Sequence, residues 1–205
     1  MDYDGLEIEV PEGVYEPRED SALARRALKA VIESAGKKGL RVLDMGTGSG
    51  ILGLSAASED KVGDVVFSDI DERALSAARG NIERNRQRIS ARCSFVRSDI
   101  FSSINGNFDV MVFNAPYLPH SANDKGTESG AWDGGAQGVE LSIRFLKGSL
   151  ERLEDDGRIL LVASSLGNME RLTEEIERMG LEIERSIKEH YFFEDIFALV
   201  IRKRR

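Results

Sequence analysis

The sequence predicts an α/β protein built on an open, mostly parallel, doubly wound sheet of seven strands. From residue 41 onward, short apolar runs without polar alternation recur, which is typical of strands that are covered on both faces. Segments with helical periodicity separate these runs, as repeated βα units require. Two final apolar runs predict a hairpin that adds antiparallel pairing to the sheet. With 205 residues, the chain is long enough to bury a substantial core.

The predicted elements follow one another along the chain. An opening helix over residues 19–35 ends at the GKKG break. Strands are predicted at 41–46, 64–70, 93–99, 108–114 and 157–165, with two more between 181 and 204, and helices at 50–59, 72–86, 138–153 and 168–179. The stretch 115–137 is long and irregular, and a loop of that length is usually functional. We expect residues 1–205 to form a single domain, with a leader and helix over 1–38 ahead of the core over 39–205.

Charge and cysteine content restrict the possible functions. The net charge of −8 argues against sequence-independent nucleic-acid binding, which needs a basic surface. The single cysteine, Cys93, excludes an internal disulfide framework and a Cys-based zinc site within this chain, and no metal site is predicted. Cys93 lies in an apolar, strand-like run, which predicts a packed thiol rather than a nucleophile. No apolar stretch approaches the ~20 residues of a membrane span, and the acidic start of the chain lacks a signal pattern, so we expect a cytoplasmic protein.

A glycine-rich turn, GTGSGILG, follows the first predicted strand and opens a helix. Glycine permits positive φ and close approach of a ligand, and a helix N-terminus offers free N–H groups. The dinucleotide fingerprint GxGxxG can be read at Gly48, Gly50 and Gly53, but glycine-rich turns accept many cofactors. Asp44, two residues before Gly46, discriminates between them, because a carboxylate there would repel a pyrophosphate and attract a cationic group. This favours S-adenosylmethionine, which carries an ammonium and a sulfonium, over NAD.

Two further acids follow the next two predicted strands. Asp69 closes the strand after the glycine turn, where it could accept hydrogen bonds from ribose hydroxyls. Asp99 ends the strand after that. Each Asp alone could be a helix N-cap. Three successive strands that finish in Asp predict instead a crevice lined with acids at the carboxyl edge of the sheet, where ligands of such folds bind.

The strand at 108–114 ends in an unusual way, with Asn114, Ala115, Pro116 and Tyr117 in succession. Proline cannot donate a ladder hydrogen bond and restricts the residue before it, so the strand must end near Asn114. The Asn114 side-chain oxygen and the Ala115 carbonyl form a pair of acceptors for both hydrogens of a planar amide or amino group. Tyr117 can lie against that group and orient it. The pattern favours N-methylation, and the alternative is a strand-terminating turn with a packed tyrosine.

The chain resembles the class I S-adenosylmethionine-dependent methyltransferases, and among them the HemK-related protein glutamine methyltransferases in their short archaeal and eukaryotic form. The resemblance covers nearly the whole chain and rests on VYEPREDS (14–21), DMGTGSG (44–50), SDID (68–71), SDIF (98–101), NAPYLP (114–119) and WDGG (132–135). The leader combined with the NxPY tetrad is the most specific part. The lack of a separate N-terminal helical domain points to the short form. The resemblance implies a seven-stranded, Rossmann-like sheet with an antiparallel C-terminal hairpin strand.

The resemblance also implies residue roles. Asp44 and the backbone of Gly46, Thr47 and Gly48 would hold the methionyl end of the cofactor. Asp69 would bind the ribose, and Ile70, Asp99 and Ile100 would form the adenine pocket. Ser21 would help to close the site. Asn114 would contact both cofactor and acceptor nitrogen, together with Ala115, Pro116 and Tyr117. The usual family tetrad is NPPY. Ala115 removes a φ constraint and keeps the backbone carbonyl that the chemistry needs.

Several functions stay open from the sequence. The leading hypothesis is a protein N5-glutamine methyltransferase that acts on the GGQ motif of a translation release factor, and the resemblance implies a small zinc-binding activator protein as a possible partner. The alternative is a nucleic-acid N-methyltransferase that acts on adenine N6 or guanine N2 of a flipped base. The net charge of −8 counts against it. An NAD oxidoreductase leaves Asp44 and NAPY unexplained, and a non-catalytic cofactor-binding subunit is disfavoured because the tetrad is essentially complete.

Overall fold

The computed structural model describes residues 2–3, 5–116, 137–191 and 193–204. Strands and helices alternate through most of this range. The strands are β1 (Asp2–Tyr3), β2 (Leu6–Glu7), β3 (Leu40–Met45), β4 (Val62–Asp69), β5 (Arg92–Arg97), β6 (Phe108–Asn114), β7 (Leu153–Ser164), β8 (Leu181–Tyr191) and β9 (Glu194–Lys203). The helices are α1 (Glu19–Ser34), α2 (Ile51–Ala57), α3 (Glu72–Arg84), α4 (Glu140–Ser149) and α5 (Met169–Arg178), with a short 3₁₀ turn at Arg86–Arg88.

Seven strands form one sheet in the order β5-β4-β3-β6-β7-β9-β8. The pairings from β5 through β7 are all parallel. Strand β9 runs antiparallel to both of its neighbours, β7 and β8. The predicted fold class is therefore confirmed, including the antiparallel C-terminal hairpin. Strands β1 and β2 form a separate two-stranded antiparallel sheet, and this small hairpin was not predicted.

The sheet is covered on both faces, as its apolar strands predict. Neighbouring residues of a strand point to opposite faces, so Val42 and Val110 join one core cluster while Leu43 and Met111 join the other. Helices α1, α2 and α3 contribute to the first cluster, and α4 and α5 contribute to the second. None of the helices in the described part of the chain has the length and apolar character needed to cross a membrane.

Two adjoining predicted boundaries are wrong. The sequence predicts a helix over 138–153 and a strand from 157, whereas α4 ends at Ser149 and β7 begins at Leu153. The Arg152 N–H donates to the Ser149 carbonyl at 3.0 Å and closes a turn, after which Leu153 already pairs with Phe108 in the sheet. Leu150 and Leu153 continue the helical spacing of α4, so the periodicity runs across a turn into the next strand.

The strand register brings the predicted site elements together. Met45, the last residue of β3, pairs with Ser68 of β4 and with Phe113 of β6. On the other side of β4, Asp69 pairs with Arg97 of β5. The carboxyl ends of these four strands therefore meet at one edge of the sheet, where ligands of open α/β sheets bind.

Candidate active site

A cavity of about 590 Å³ lies at this carboxyl edge, within the roughly 300–1,000 Å³ typical of small-molecule sites. Most of the predicted site residues line it: Ser21, Gly46, Thr47, Gly48, Asp69, Ile70, Asp99, Ile100, Asn114, Ala115 and Pro116. The sequence therefore identified which parts of the chain converge here. Tyr117, predicted to orient the acceptor group, lies outside the described residues.

The glycine turn after β3 needs glycine for both conformation and space. Gly46 and Gly48 have φ values of 60° and 55°, in the left-handed region that side chains disfavour. A Cβ on Gly46 would also lie 2.9 Å from the Phe113 ring. The Thr47 N–H donates to the Ser68 carbonyl at 2.9 Å and ties the turn to the end of β4. The turn is thus fixed against the sheet, with Gly48 facing the cavity.

Asp44 lies beneath the glycine turn rather than at the tip of the strand. It is 1% exposed and pairs with Phe67 of β4 on one side and with Val112 of β6 on the other. Its Oδ2 accepts hydrogen bonds from the Thr47 hydroxyl at 2.5 Å and from the Gly53 N–H at 2.8 Å. Burial raises the pKa of Asp44 to about 7, against the lowering effect of these two bonds. Asp44 thus links the turn to the start of α2, and its predicted contact with a ligand stays a prediction.

Asp69 joins the end of β4 to the glycine turn. Its Oδ2 accepts from the Gly48 N–H and its Oδ1 from the Asp71 N–H, both at 3.0 Å. Burial raises the pKa of this carboxyl, while the bonds from Asp71 and Gly48 oppose the rise. The adjacent Ile70 lines the cavity and is 61% exposed. A large apolar side chain exposed beside a cavity suits the flat apolar face of a ligand such as adenine.

Asp99 and Ile100 form the far side of the cavity. Both oxygens of Asp99 accept from Arg144 Nη2 at 3.1 Å, and both side chains are more than half exposed. Ile100 has a φ of 48°, which is rare for a β-branched residue and costs on the order of 1–3 kcal/mol. The Ser98 hydroxyl donates to the Ile100 carbonyl at 2.8 Å and helps to hold this conformation. Backbone strain of this kind concentrates at functional sites.

Asn114 lies at the end of β6, and the two ends of its side-chain amide have different surroundings. Its Nδ2 donates to Asp20 Oδ2 at 2.9 Å and reaches Ser21 Oγ at 3.4 Å. Its Oδ1 is buried and has no hydrogen-bond partner in the described part of the chain. Buried polar atoms are nearly always paired in proteins, so an unpaired one needs an explanation. An oxygen in this state can accept an N–H from a bound molecule.

Sequence reasoning missed several residues of this site, namely Tyr15, Asp20 and Arg144, all of which line the cavity. In the sequence, Asp20 is part of the leader motif VYEPREDS, where an acid in the first turn of a helix is favourable without any further role. Its near-complete burial at 3% exposure was the missing information. Arg144 lies in α4 and carried no local signal.

Comparison with known proteins identifies the family to which the chain is similar. A model described as "Methyltransferase small domain" matches residues 13–188. A Methanocaldococcus jannaschii protein whose assigned name is protein N5-glutamine methyltransferase is 30% identical over 201 residues, covering 97% of this chain and 96% of that protein. A release factor glutamine methyltransferase of Agrobacterium fabrum is 35% identical over 119 residues, covering 57% of this chain and 40% of that protein.

Among solved structures, a chain of the E. cuniculi Mtq2–Trm112 complex superimposes with a TM-score of 0.67 and 27% identity, covering 93% of this chain and 98% of that one. That complex is described as responsible for methylation of the eRF1 translation termination factor.

The fold and the cavity together define a class I methyltransferase. The chain belongs to the methyltransferase small domain family, with the matched region spanning the leader, the glycine turn and the end of β6. The predictions of fold, family and enzyme class are confirmed. Methyltransferases of this kind generally take their methyl group from S-adenosylmethionine.

Proposed function

We propose that this protein transfers a methyl group from S-adenosylmethionine to the side-chain amide nitrogen of glutamine in the GGQ motif of a translation release factor. The observation that carries the proposal is the buried Oδ1 of Asn114 beside the glycine turn, which accepts no hydrogen bond from any of the described residues. The relatives named as N5-glutamine and release factor glutamine methyltransferases support the substrate.

The residues of the cavity fit the cofactor. Asp69 would accept from the ribose hydroxyls, and the exposed Ile70 would lie against the adenine with Ile100. The glycine turn would hold the methionyl end, and Ser21 would close the site from α1. When bound, S-adenosylmethionine supplies the methyl group of its sulfonium, and the sulfur that loses this group becomes a neutral thioether.

Asn114 and Ala115 would prepare the acceptor. An amide nitrogen is a poor nucleophile because its lone pair is delocalised. Asn114 Oδ1 and the Ala115 carbonyl would each accept one N–H of the glutamine amide, which raises electron density on nitrogen and fixes its direction of attack. Pro116 would hold the turn, and Tyr117 would pack against the amide plane. The proton leaves after methyl transfer, so no strong general base is required.

We also propose a small protein partner. The supporting observation is that the similar E. cuniculi structure was solved as a complex with Trm112. The expectation that the partner binds zinc, like the expected cytoplasmic location, stays a prediction. Activity and yield of the protein should therefore be compared with and without a co-expressed Trm112-type protein.

The test is methyl transfer from labelled S-adenosylmethionine to three substrates: a release factor, its GGQ→GGA variant, and tRNA or duplex DNA. We expect label on the release factor alone, located at the glutamine by peptide mass spectrometry. Asn114→Ala should lower kcat by roughly 10²- to 10³-fold, the usual loss for one preorganised hydrogen-bonding group. Equal label on the GGA variant would refute the glutamine assignment, and label on nucleic acid alone would establish the alternative function.

A further inference from the structure

The side-chain amide of Asn114 is held in one of its two orientations by a buried carboxylate. Asp20 Oδ2 lies 2.9 Å from Asn114 Nδ2, across 94 residues of sequence. A carboxylate can only accept hydrogen bonds, so it can face only the NH₂ side of the amide. The opposite orientation would set Asn114 Oδ1 against Asp20 Oδ2, two acceptors without a proton between them. The contact with Asp20 thus selects the orientation that turns Oδ1 away from α1.

Asp20 is itself fixed by neighbouring donors. The Tyr15 hydroxyl donates to its Oδ2 at 2.7 Å, and the Ser21 N–H donates to its Oδ1 at 2.6 Å. Asp20 as a whole is 3% exposed. Glu19, the adjacent acid of the same helical turn, is exposed. Either acid would favour the positive end of the helix, so the dipole does not explain why Asp20 is buried.

We propose that Asp20 is a positioning residue for methyl transfer: by accepting from Asn114 Nδ2, it keeps Asn114 Oδ1 facing the site as the acceptor for the substrate N–H. The inference rests on the proposed function, because the acceptor role of Asn114 belongs to it. Asp20 does not touch the reacting atoms and acts through Asn114. Tyr15 and Ser21 hold Asp20 in place. The residues that serve methyl transfer therefore include part of the leader as well as the end of β6.

The Asp20→Asn variant tests this orientation. The Ser21 N–H can only donate, so it keeps an oxygen at the Oδ1 position of residue 20. The new NH₂ group then takes the Oδ2 position and faces Asn114, and the Tyr15 hydroxyl, which donates to Oδ2 in the parental protein, turns to accept from it. Asn114 would then turn its oxygen toward α1 and present NH₂ to the substrate. We expect kcat to fall roughly 10- to 100-fold, with KM for S-adenosylmethionine changed less than about threefold.

A reciprocal exchange supplies the decisive comparison. In Asp20→Asn/Asn114→Asp, the NH₂ at residue 20 donates to one carboxylate oxygen at residue 114, and the other oxygen faces the site as an acceptor. The double variant should recover at least about tenfold of the kcat lost in Asp20→Asn. Asn114→Asp alone places two carboxylates against each other and should be worse than the double variant. If Asp20→Asn does not fold, this second comparison carries the test.

Two controls separate positioning from general effects. Glu19→Gln removes the neighbouring acid of the same helical turn. Asp109→Asn makes the same chemical change at a carboxylate that is 12% exposed, at the opposite end of β6, where it accepts from the Arg41 N–H at 2.9 Å. Both should keep near-parental kcat. A loss in Asp109→Asn as large as that in Asp20→Asn would overturn the inference.

A readout that needs neither substrate nor cofactor is the side-chain amide of Asn114 in ¹⁵N–¹H spectra, identified by its absence in Asn114→Asp. Asp20→Asn should shift this pair of resonances strongly and Asp109→Asn should leave it unchanged. If the parental protein methylates no release factor, the proposed function fails, while the spectra still report the orientation. An unshifted amide pair in Asp20→Asn, or a double variant no better than the singles, would overturn the role of Asp20.

Discussion

Gly53, in the first turn of α2, leaves room for a buried aromatic ring. A Cβ at this position would lie 2.3 Å from Phe67 Cε1 and 2.9 Å from Asp44 Oδ2. Phe67 is fully buried and stacks on Phe95 with ring centroids 5.0 Å apart, which limits the space into which its ring could move. We therefore expect Gly53→Ala to destabilise the fold and to disturb the bond between Asp44 and the Gly53 N–H.

The magnitude follows from two opposing effects. Replacing glycine by alanine at a solvent-exposed position inside a helix stabilises the helix by about 1 kcal/mol. Overpacking a buried position costs about 1–3 kcal/mol, and here the methyl group meets both a ring and a carboxylate, which places the cost at the upper end. The net loss should be about 1–2 kcal/mol. Gly80 in α3 is the matched control, because it is exposed and a Cβ there meets nothing within 4 Å. Gly80→Ala should gain up to about 1 kcal/mol.

Urea unfolding measures both variants, through a shift of the midpoint at unchanged slope. The midpoint of Gly53→Ala should fall and that of Gly80→Ala should rise. Calorimetry with S-adenosylmethionine should show weaker binding only for Gly53→Ala, because the turn is anchored through Asp44. A midpoint for Gly53→Ala at or above the parental value would show that the ring relaxes freely and would refute this reasoning.

Three further predictions concern single side chains. Since burial raises the pKa of Asp44 from 3.8 to about 7, the folded state retains a proton that the unfolded state releases between these values, so this contribution to stability falls as pH rises from about 4 to 7. Asp44→Asn should remove that component from the pH dependence of the unfolding free energy, and an unchanged dependence would count against it. Arg144→Ala should change the unfolding free energy by less than about 1 kcal/mol in urea unfolding, because both side chains of its ion pair with Asp99 are more than half exposed. A loss above about 2 kcal/mol would contradict this. Burial raises the pKa of the Cys93 thiol, so it should react with a disulfide reagent at pH 8 more slowly in the folded than in the urea-unfolded protein, and equal rates would disprove the effect.

The sheet was predictable because its signal is local. Apolar runs such as 108–114 fix the strands, and the parallel order follows from the helices between them. The end of α4 was not predictable, since Leu150 and Leu153 keep helical spacing while the chain turns into β7. The hairpin of β1 and β2 has strands of only two residues, too short to produce a period.

The candidate site was also predictable only in part. Glycine turns and strand-ending acids leave motifs in contiguous sequence, so Gly46, Gly48 and Asp69 could be predicted as cavity residues. The direction in which a side chain forms its hydrogen bonds is not visible as a motif in contiguous sequence. The sequence did not indicate that Asp44 Oδ2 accepts from Thr47 and Gly53, and its expected contact with a ligand stays a prediction.

The contact between Asp20 and Asn114 shows why the remaining part depends on three-dimensional structure. The sequence identifies an acid in a leader and an amide at a strand end, and each has an ordinary local explanation. Only the packing of α1 beside β6 makes the carboxylate an acceptor for one side of the amide, and the other side has no partner among the residues that the structure describes. A leader that merely covered the cavity could carry an uncharged side chain at residue 20. The burial of a carboxylate there, at a cost in desolvation, is consistent with selection for the direction of the Asn114 amide rather than for packing alone.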